Sequence, residues 1–191
     1  MNNVTFPVVG IIGAGAMGRG IAQIAAQAGS VVRLFDTRAE AVSEAVNSIT
    51  GQWDRMQEKG RLTEGALTAN KARLKNATQL SDLADCTLVV EAIVERLDVK
   101  KSLFAELESI VGPDAVLTTN TSSLSVTAIA AGLRVPQRFA GFHFFNPVPL
   151  MKVVEVIAGL KTSPAVCDAL SRSAREMGHT PVQAQDTPGF I

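Results

Sequence analysis

Apolar residues in this chain fall into short runs, each closed by glycine, proline or an acid, and the runs are separated by stretches with helical spacing. Val8 to Gly13 is the first run and reads as a buried strand. Ala16 to Ala28 is rich in alanine and isoleucine and stops at Gly29, so it reads as a helix. Val31 to Phe35 is a second strand, closed by Asp36. Strand, helix and strand within about 30 residues make a βαβ unit. A long helix is expected from Arg38 to about Lys59, with Ala41, Val42, Ala45, Val46, Ile49, Trp53 and Met56 on one side. After Gly60, Thr63 to Leu74 reads as a second helix antiparallel to it. Further strands are expected at Thr87 to Ala92, Ala115 to Thr119, Phe139 to Phe144, Val153 to Ile157 and Pro181 to Ala184. Helices are expected at Leu97 to Val111, Ser125 to Ala131 and Ala165 to Met177, the last opened by Ser163-Pro164 and capped by Gly178. The alternation predicts an α/β fold: a doubly wound, mostly parallel sheet covered on both faces, with a helical pair inserted after the second strand.

Composition agrees with a packed domain. Of 191 residues, 47% are apolar and 19% charged, enough for a sizeable core. We expect one domain over residues 1–191. Basic and acidic residues balance at 18 each, so no global field draws the chain to nucleic acid or an anionic membrane, and an anionic ligand needs a local site. Cys86 and Cys167 lie far apart outside any metal-like cluster and are expected as buried thiols. There is no signal-like N-terminus and no long apolar span, which points to a cytoplasmic protein. The chain stops at the apolar Ile191 without a charged tail, and a further domain is expected to follow.

The first loop, Gly13-Ala14-Gly15-Ala16-Met17-Gly18, lies between a strand and a helix. Gly13 permits a tight turn, Gly15 lets a pyrophosphate approach the backbone, and Gly18 lets the helix pack close to the sheet. The helix N-terminus then offers unpaired N–H groups to the anion. Asp36 ends the next strand, where its carboxylate can accept from ribose hydroxyls and repel a 2′-phosphate. This favours a Rossmann-type domain binding NAD rather than NADP. Arg38 leaves a phosphate contact open, and Asp36 has the alternative role of capping the following helix.

Polar residues also collect at the ends of later strands, where ligands of such sheets bind. These are Glu91-Ala92-Ile93-Val94-Glu95-Arg96, Asn120-Thr121-Ser122-Ser123-Leu124, His143-Phe144-Phe145-Asn146-Pro147 and the stretch containing Glu155. Oxidation of a secondary alcohol needs a base for the hydroxyl proton. Imidazole backed by a carboxylate suits that task, and His143 with Glu155 on the next strand supplies the dyad. The alternative for Glu155 is a surface ion pair with Lys152.

These motifs, together with Asp186-Thr187-Pro188-Gly189-Phe190-Ile191, resemble those of the L-3-hydroxyacyl-CoA dehydrogenases, in order and over Val8 to Ile191. The resemblance implies an oxidoreductase that oxidises L-3-hydroxyacyl-CoA to 3-oxoacyl-CoA with NAD, in fatty acid or aromatic breakdown. It implies His143 as general base, Glu155 as its orienting partner and Ser122 as the hydrogen-bond donor to the substrate oxygen. Asn146 would contact the cofactor, and Glu95 and Lys100 its ribose or nicotinamide side. The paired helices would carry part of the coenzyme A surface, with Lys59 a candidate for its phosphates and Gln52 where relatives offer serine. The family pattern continues with Val-Asn-Arg and a helical C-terminal domain that makes a homodimer. A chain without them is expected to bind NAD but to turn over poorly.

Two other functions share much of this pattern: a sugar-acid dehydrogenase of the gulonate type, and a non-catalytic, crystallin-like NAD-binding protein. Competition by coenzyme A derivatives separates the first, and the Ser122, His143 and Glu155 set argues against the second. Among lesser residues, His179 is expected to sit at a helix C-terminus, where the dipole favours it. Trp53 is expected in helix packing, and Ser123 as a helix cap, although Ser122 and Ser123 can exchange roles.

Overall fold

The computed structural model describes residues 4–187. The elements follow in the order β1 (Val8–Ile12), α1 (Ala16–Ala28), β2 (Val31–Phe35), α2 (Ala39–Glu58), α3 (Glu64–Arg73), β3 (Leu74–Asn76), β4 (Leu88–Glu91), α4 (Leu97–Ile110), β5 (Val116–Thr119), α5 (Val126–Ala130), β6 (Phe139–Phe144), β7 (Val153–Ala158), α6 (Pro164–Glu176) and β8 (Thr180–Gln185). They build one eight-stranded sheet in the order β3-β2-β1-β4-β5-β6-β7-β8. All neighbours pair in parallel except β6 and β7, which are antiparallel, so the last two strands run against the rest. The chain leaves β1 toward β2 and returns on its other side at β4, which opens a crevice at the carboxyl ends of the central strands.

Both sheet faces are buried, which is why β1 and β4 are apolar almost without interruption and why β5 buries Thr118 and Thr119 beside Val116 and Leu117. One face packs against α1, α2 and α6 through Ile21, Ile24, Ile49, Trp53 and Leu170. The other packs against α4 and α5 through Phe104, Leu107, Val126 and Ile129. Phe104 meets Phe139 edge to face at 4.7 Å. Helix ends follow local chemistry. Thr63 accepts from the Ala66 amide at 3.2 Å to start α3, and Gly29 closes α1 at φ 117°. No helix among the described residues is long and apolar enough to cross a membrane.

The structure differs from the sequence expectation in detail. The second helix of the pair ends at Arg73, and Leu74–Asn76 forms an edge strand on β2 instead of a last helical turn. Three residues with two exposed are too short to show a period of two. The helical pair is therefore the connection that carries the chain from β2 to β3. Short 3-10 turns at Leu80–Leu83 and Pro136–Arg138 add two elements without a periodic signal.

Candidate active site

The glycine turn occupies the mouth of the crevice. Gly13 sits at φ 101°, and a Cβ there would lie 2.4 Å from the Ala92 carbonyl oxygen. A Cβ on Gly18 would lie 1.7 Å from the Gly13 carbonyl oxygen, so this position admits no side chain while α1 keeps its place. Gly15 differs. Its φ is an ordinary −67°, and a Cβ would meet nothing within 4 Å. The space above Gly15 is open to a group from outside, at the start of a helix that no side chain among the described residues caps. That is a fit for the pyrophosphate of a dinucleotide.

Asp36 joins this turn directly. One carboxylate oxygen accepts from the Ala14 amide at 2.8 Å and the other from the Arg38 amide at 3.0 Å. The helix-cap alternative gives way to this arrangement, because Arg38 itself occupies the cap position of α2 without a side-chain bond. Two cavities flank the turn. One of about 450 Å³ is bordered by Asp36, Thr37, Ser43, Asn76 and Thr78 and suits an adenosine. The other, of about 340 Å³, is lined by Met17, Ile93, Glu95, Asn120, Ser122, His143, Phe145 and Asn146.

His143 faces the second cavity, with Glu155 behind it. His143 on β6 stands directly across from Glu155 on β7 in the antiparallel register, with Nδ1 2.6 Å from the carboxylate. Glu155 is 3% exposed, so the surface pair with Lys152 is replaced by a buried partnership with the imidazole. A carboxylate accepts from Nδ1–H, which leaves Nε2 as the acceptor of the ring. Asn120 fixes the rim. Its side-chain oxygen accepts from the Phe144 amide at 2.8 Å and ties the end of β5 to the strand bearing His143.

Ser122 lies on the loop after β5, held from below. One oxygen of Glu95 accepts from the Ser122 amide at 3.0 Å, from the Thr121 hydroxyl, and from the Ser123 hydroxyl at 3.4 Å. The Thr121 hydroxyl in turn accepts from the Ser123 and Leu124 amides, which makes the tight turn. Burial pushes the Glu95 carboxyl up. The bond from Thr121, the charge and hydrogen bond of Lys100, and the Ser122 amide outweigh it and hold the group below the usual carboxylate range.

The structure thus brings together His143, Glu155, Ser122, Glu95 and Asn146, and sets Gly13 to Gly18 and Asp36 beside them. It does not bring in Lys59, which is exposed at the end of α2. Gln52 lines a neighbouring cleft with Arg19, Arg55 and Asn146, which sequence reading did not anticipate for the two arginines. Lys100 is 1% exposed and lies beneath the cavity. The helix cap after the serines is Ser125, which accepts from the Ala128 amide at 3.1 Å, and not Ser123. His179 does follow the C-terminus of α6, but it is buried and lies between two carbonyls, Met177 at 3.1 Å and Val148 at 3.0 Å. It therefore also ties β8 to the loop that carries Asn146. Thr121 and Asn120 were legible only as polar residues at a strand end, since their roles depend on partners far away in sequence. In the motif ending at Ile191, Asp186 receives bonds from Ser125 and the Val126 and Thr127 amides. Pro188, Gly189, Phe190 and Ile191 lie outside the described residues.

Residues 8–187 match the family described as 3-hydroxyacyl-CoA dehydrogenase, NAD binding domain. The chain is 45% identical to a 3-hydroxyadipyl-CoA dehydrogenase of Escherichia coli over 98% of its own length and 40% of that protein's. It is 44% identical to a probable 3-hydroxybutyryl-CoA dehydrogenase of Deinococcus radiodurans, over 95% of this chain and 65% of the relative. A crystal structure of a 3-hydroxybutyryl-CoA dehydrogenase from Escherichia coli superposes with a TM-score of 0.95 at 45% identity, covering 97% of this chain and 39% of the other. The chain therefore spans between 40% and 65% of the length of these two sequence relatives.

Proposed function

The chain belongs to the 3-hydroxyacyl-CoA dehydrogenase NAD-binding domain family, and on that premise we propose that it serves the NAD-dependent interconversion of L-3-hydroxyacyl-CoA and 3-oxoacyl-CoA. One observation carries the reading. The His143–Glu155 pair, at 2.6 Å, opens on the same cavity as Ser122 and Asn146, at one flank of the glycine turn.

The residues divide the work as follows. Gly15 and the first turn of α1 would hold the pyrophosphate of NAD, and Asp36 would hold its adenosine ribose. Asn146 and Glu95, which line the cavity beside His143, would hold its nicotinamide end. Bound NAD supplies the acceptor for the hydride that leaves carbon 3. As that hydride leaves, Nε2 of His143 takes the proton of the substrate hydroxyl, and Glu155 stabilises the resulting imidazolium through Nδ1–H. The Ser122 hydroxyl donates to the same substrate oxygen as it becomes a carbonyl. In reverse, the imidazolium returns the proton. The acyl group of the substrate, contacts of Lys59 with coenzyme A phosphates and a homodimer built through a C-terminal helical domain belong to the same proposal.

Two titrations test it. NADH binding to the chain should weaken on Asp36→Ala, with discrimination against NADPH reduced; unchanged affinities for both would remove Asp36 from the site. In the presence of NAD, acetoacetyl-CoA should bind and compete with other CoA thioesters, whereas a sugar acid should not. Binding of gulonate in its place would assign the chain to the sugar-acid reading. Where turnover is measured, His143→Gln should lower kcat by about 10² or more, the scale of general acid–base catalysis.

A further inference from the structure

Lys100 lies buried at the foot of the site. Its side chain is 1% exposed, and its ammonium lies 2.5 Å from one oxygen of Glu91 and 3.2 Å from one oxygen of Glu95. It is not among the residues that line the His143 cavity. Glu91, at the end of β4, is fully buried. Its first oxygen also accepts from the Ile93 amide at 2.7 Å, and its second from the Thr119 hydroxyl at 2.7 Å. Both oxygens of Glu91 therefore accept from groups of the core, and the ammonium on it has a fixed seat.

Glu95 has no such seat of its own. It sits after the strand end, in the irregular stretch between β4 and α4, and is 37% exposed on its side chain. Its Oε1 carries the whole turn before α5, through the Thr121 hydroxyl and the Ser122 amide. Its Oε2 is held by Lys100. A carboxylate gripped at one oxygen by a cation that cannot move presents its other oxygen in one orientation.

We propose that Lys100 and Glu91 are positioning residues for Ser122. The Glu91–Lys100 pair locks Glu95, and Glu95 aligns the Ser122 backbone and so its hydroxyl at the substrate oxygen. The proposal rests on the reading of Ser122 given above. Two strand ends take part, β4 through Glu91 and β5 through Thr119, together with the serine loop that follows β5. The serine is thereby referenced to the sheet and not only to its own loop.

The test uses this chain and needs no turnover. Backbone amide exchange at Ser122 and NADH affinity are measured in the unaltered chain, in Lys100→Met and in Glu91→Gln/Lys100→Met. The double variant removes both buried charges together and keeps the fold where the single variant leaves Glu91 unpaired and unfolds. The expected result is exchange at Ser122 faster by about tenfold, as for loss of a local hydrogen bond, together with weaker NADH binding through the released Glu95. Unchanged exchange at Ser122 in a folded variant overturns the proposal. A tenfold loss of NADH affinity with unchanged exchange would leave Lys100 a cofactor contact alone and overturn its role at Ser122. Exchange is read without acyl-CoA, so failure of acetoacetyl-CoA to bind counts against the functional reading alone.

Discussion

At the scale of single residues the site is a set of carboxylates with different tasks. Glu155 is buried and faces an imidazole, Asp36 faces backbone amides, and Glu95 faces a hydroxyl, an amide and an ammonium. Glu95 carries a pH consequence. Its carboxyl is depressed in the folded chain, so its contribution is complete above the unfolded value and is lost as pH falls through the folded one. The Ser122 amide resonance should therefore hold its position down to about pH 4.3, the ordinary glutamate value, and move only below it. Thr121→Val removes a bond that lowers this carboxyl and should shift the midpoint upward. A midpoint that stays put in the variant would show that Thr121 does not govern Glu95. Residue types at strand ends were readable from the chain, and their pairing was readable only for His143 and Glu155, where two adjacent strands and a short loop restrict the geometry.

At the scale of elements, the glycine turn and α1 make a contrast that can be measured. Gly18→Ala forces a methyl group against the Gly13 carbonyl, so α1 must lift from the sheet. The denaturation midpoint should drop by the equivalent of at least about 2 kcal/mol, the range of overpacking a tight core. Gly15→Ala meets open space and should cost no more than about 1 kcal/mol, yet it should abolish most NADH binding because the methyl occupies the path of the pyrophosphate. Equal NADH affinity in Gly15→Ala and the parent chain would move the dinucleotide elsewhere. The same contrast explains what was legible. Long elements with strong periodicity, such as α2 with Ala41, Val42, Ala45, Ile49 and Trp53 buried, declare themselves. β3 does not, because Leu74–Asn76 is stabilised by pairing with β2 and buries only Leu74. Lys100 is the converse case. A lysine in a helix reads as exposed, and only the tertiary placement of Glu91 and Glu95 makes its burial possible.

At the scale of the whole molecule, one sheet with two covered faces leaves little reactive surface inside. Cys86 and Cys167 are free and buried on opposite faces of the sheet. Burial pushes the Cys86 thiol up to about 12, with Asp85 adding to the effect and Arg33 opposing it. A thiol-reactive disulfide reagent at neutral pH should leave both untouched until the chain unfolds, and their labelling should coincide with the emission shift of the buried Trp53. Labelling of Cys86 ahead of that shift would reveal a local opening on the α4 side. The overall class was legible because alternation of strands and helices admits few arrangements. The reversal at β7 leaves no trace in the pattern of apolar positions and is marked only by the short connection from Phe144 to Val153.

That reversal has a consequence for how the site can change. Phe142 and Phe144 flank His143, and Val154 and Val156 flank Glu155, and all four are sunk in the packing on the opposite face. A slip of β7 by one position against β6 would turn Glu155 away from His143 and drive Val154 and Val156 into the wrong layer. Insertions or deletions in the connection between Phe144 and Val153 can thus reshape the rim of the cavity without disturbing the proton-handling pair, which is aligned by the ladder and not by the loop.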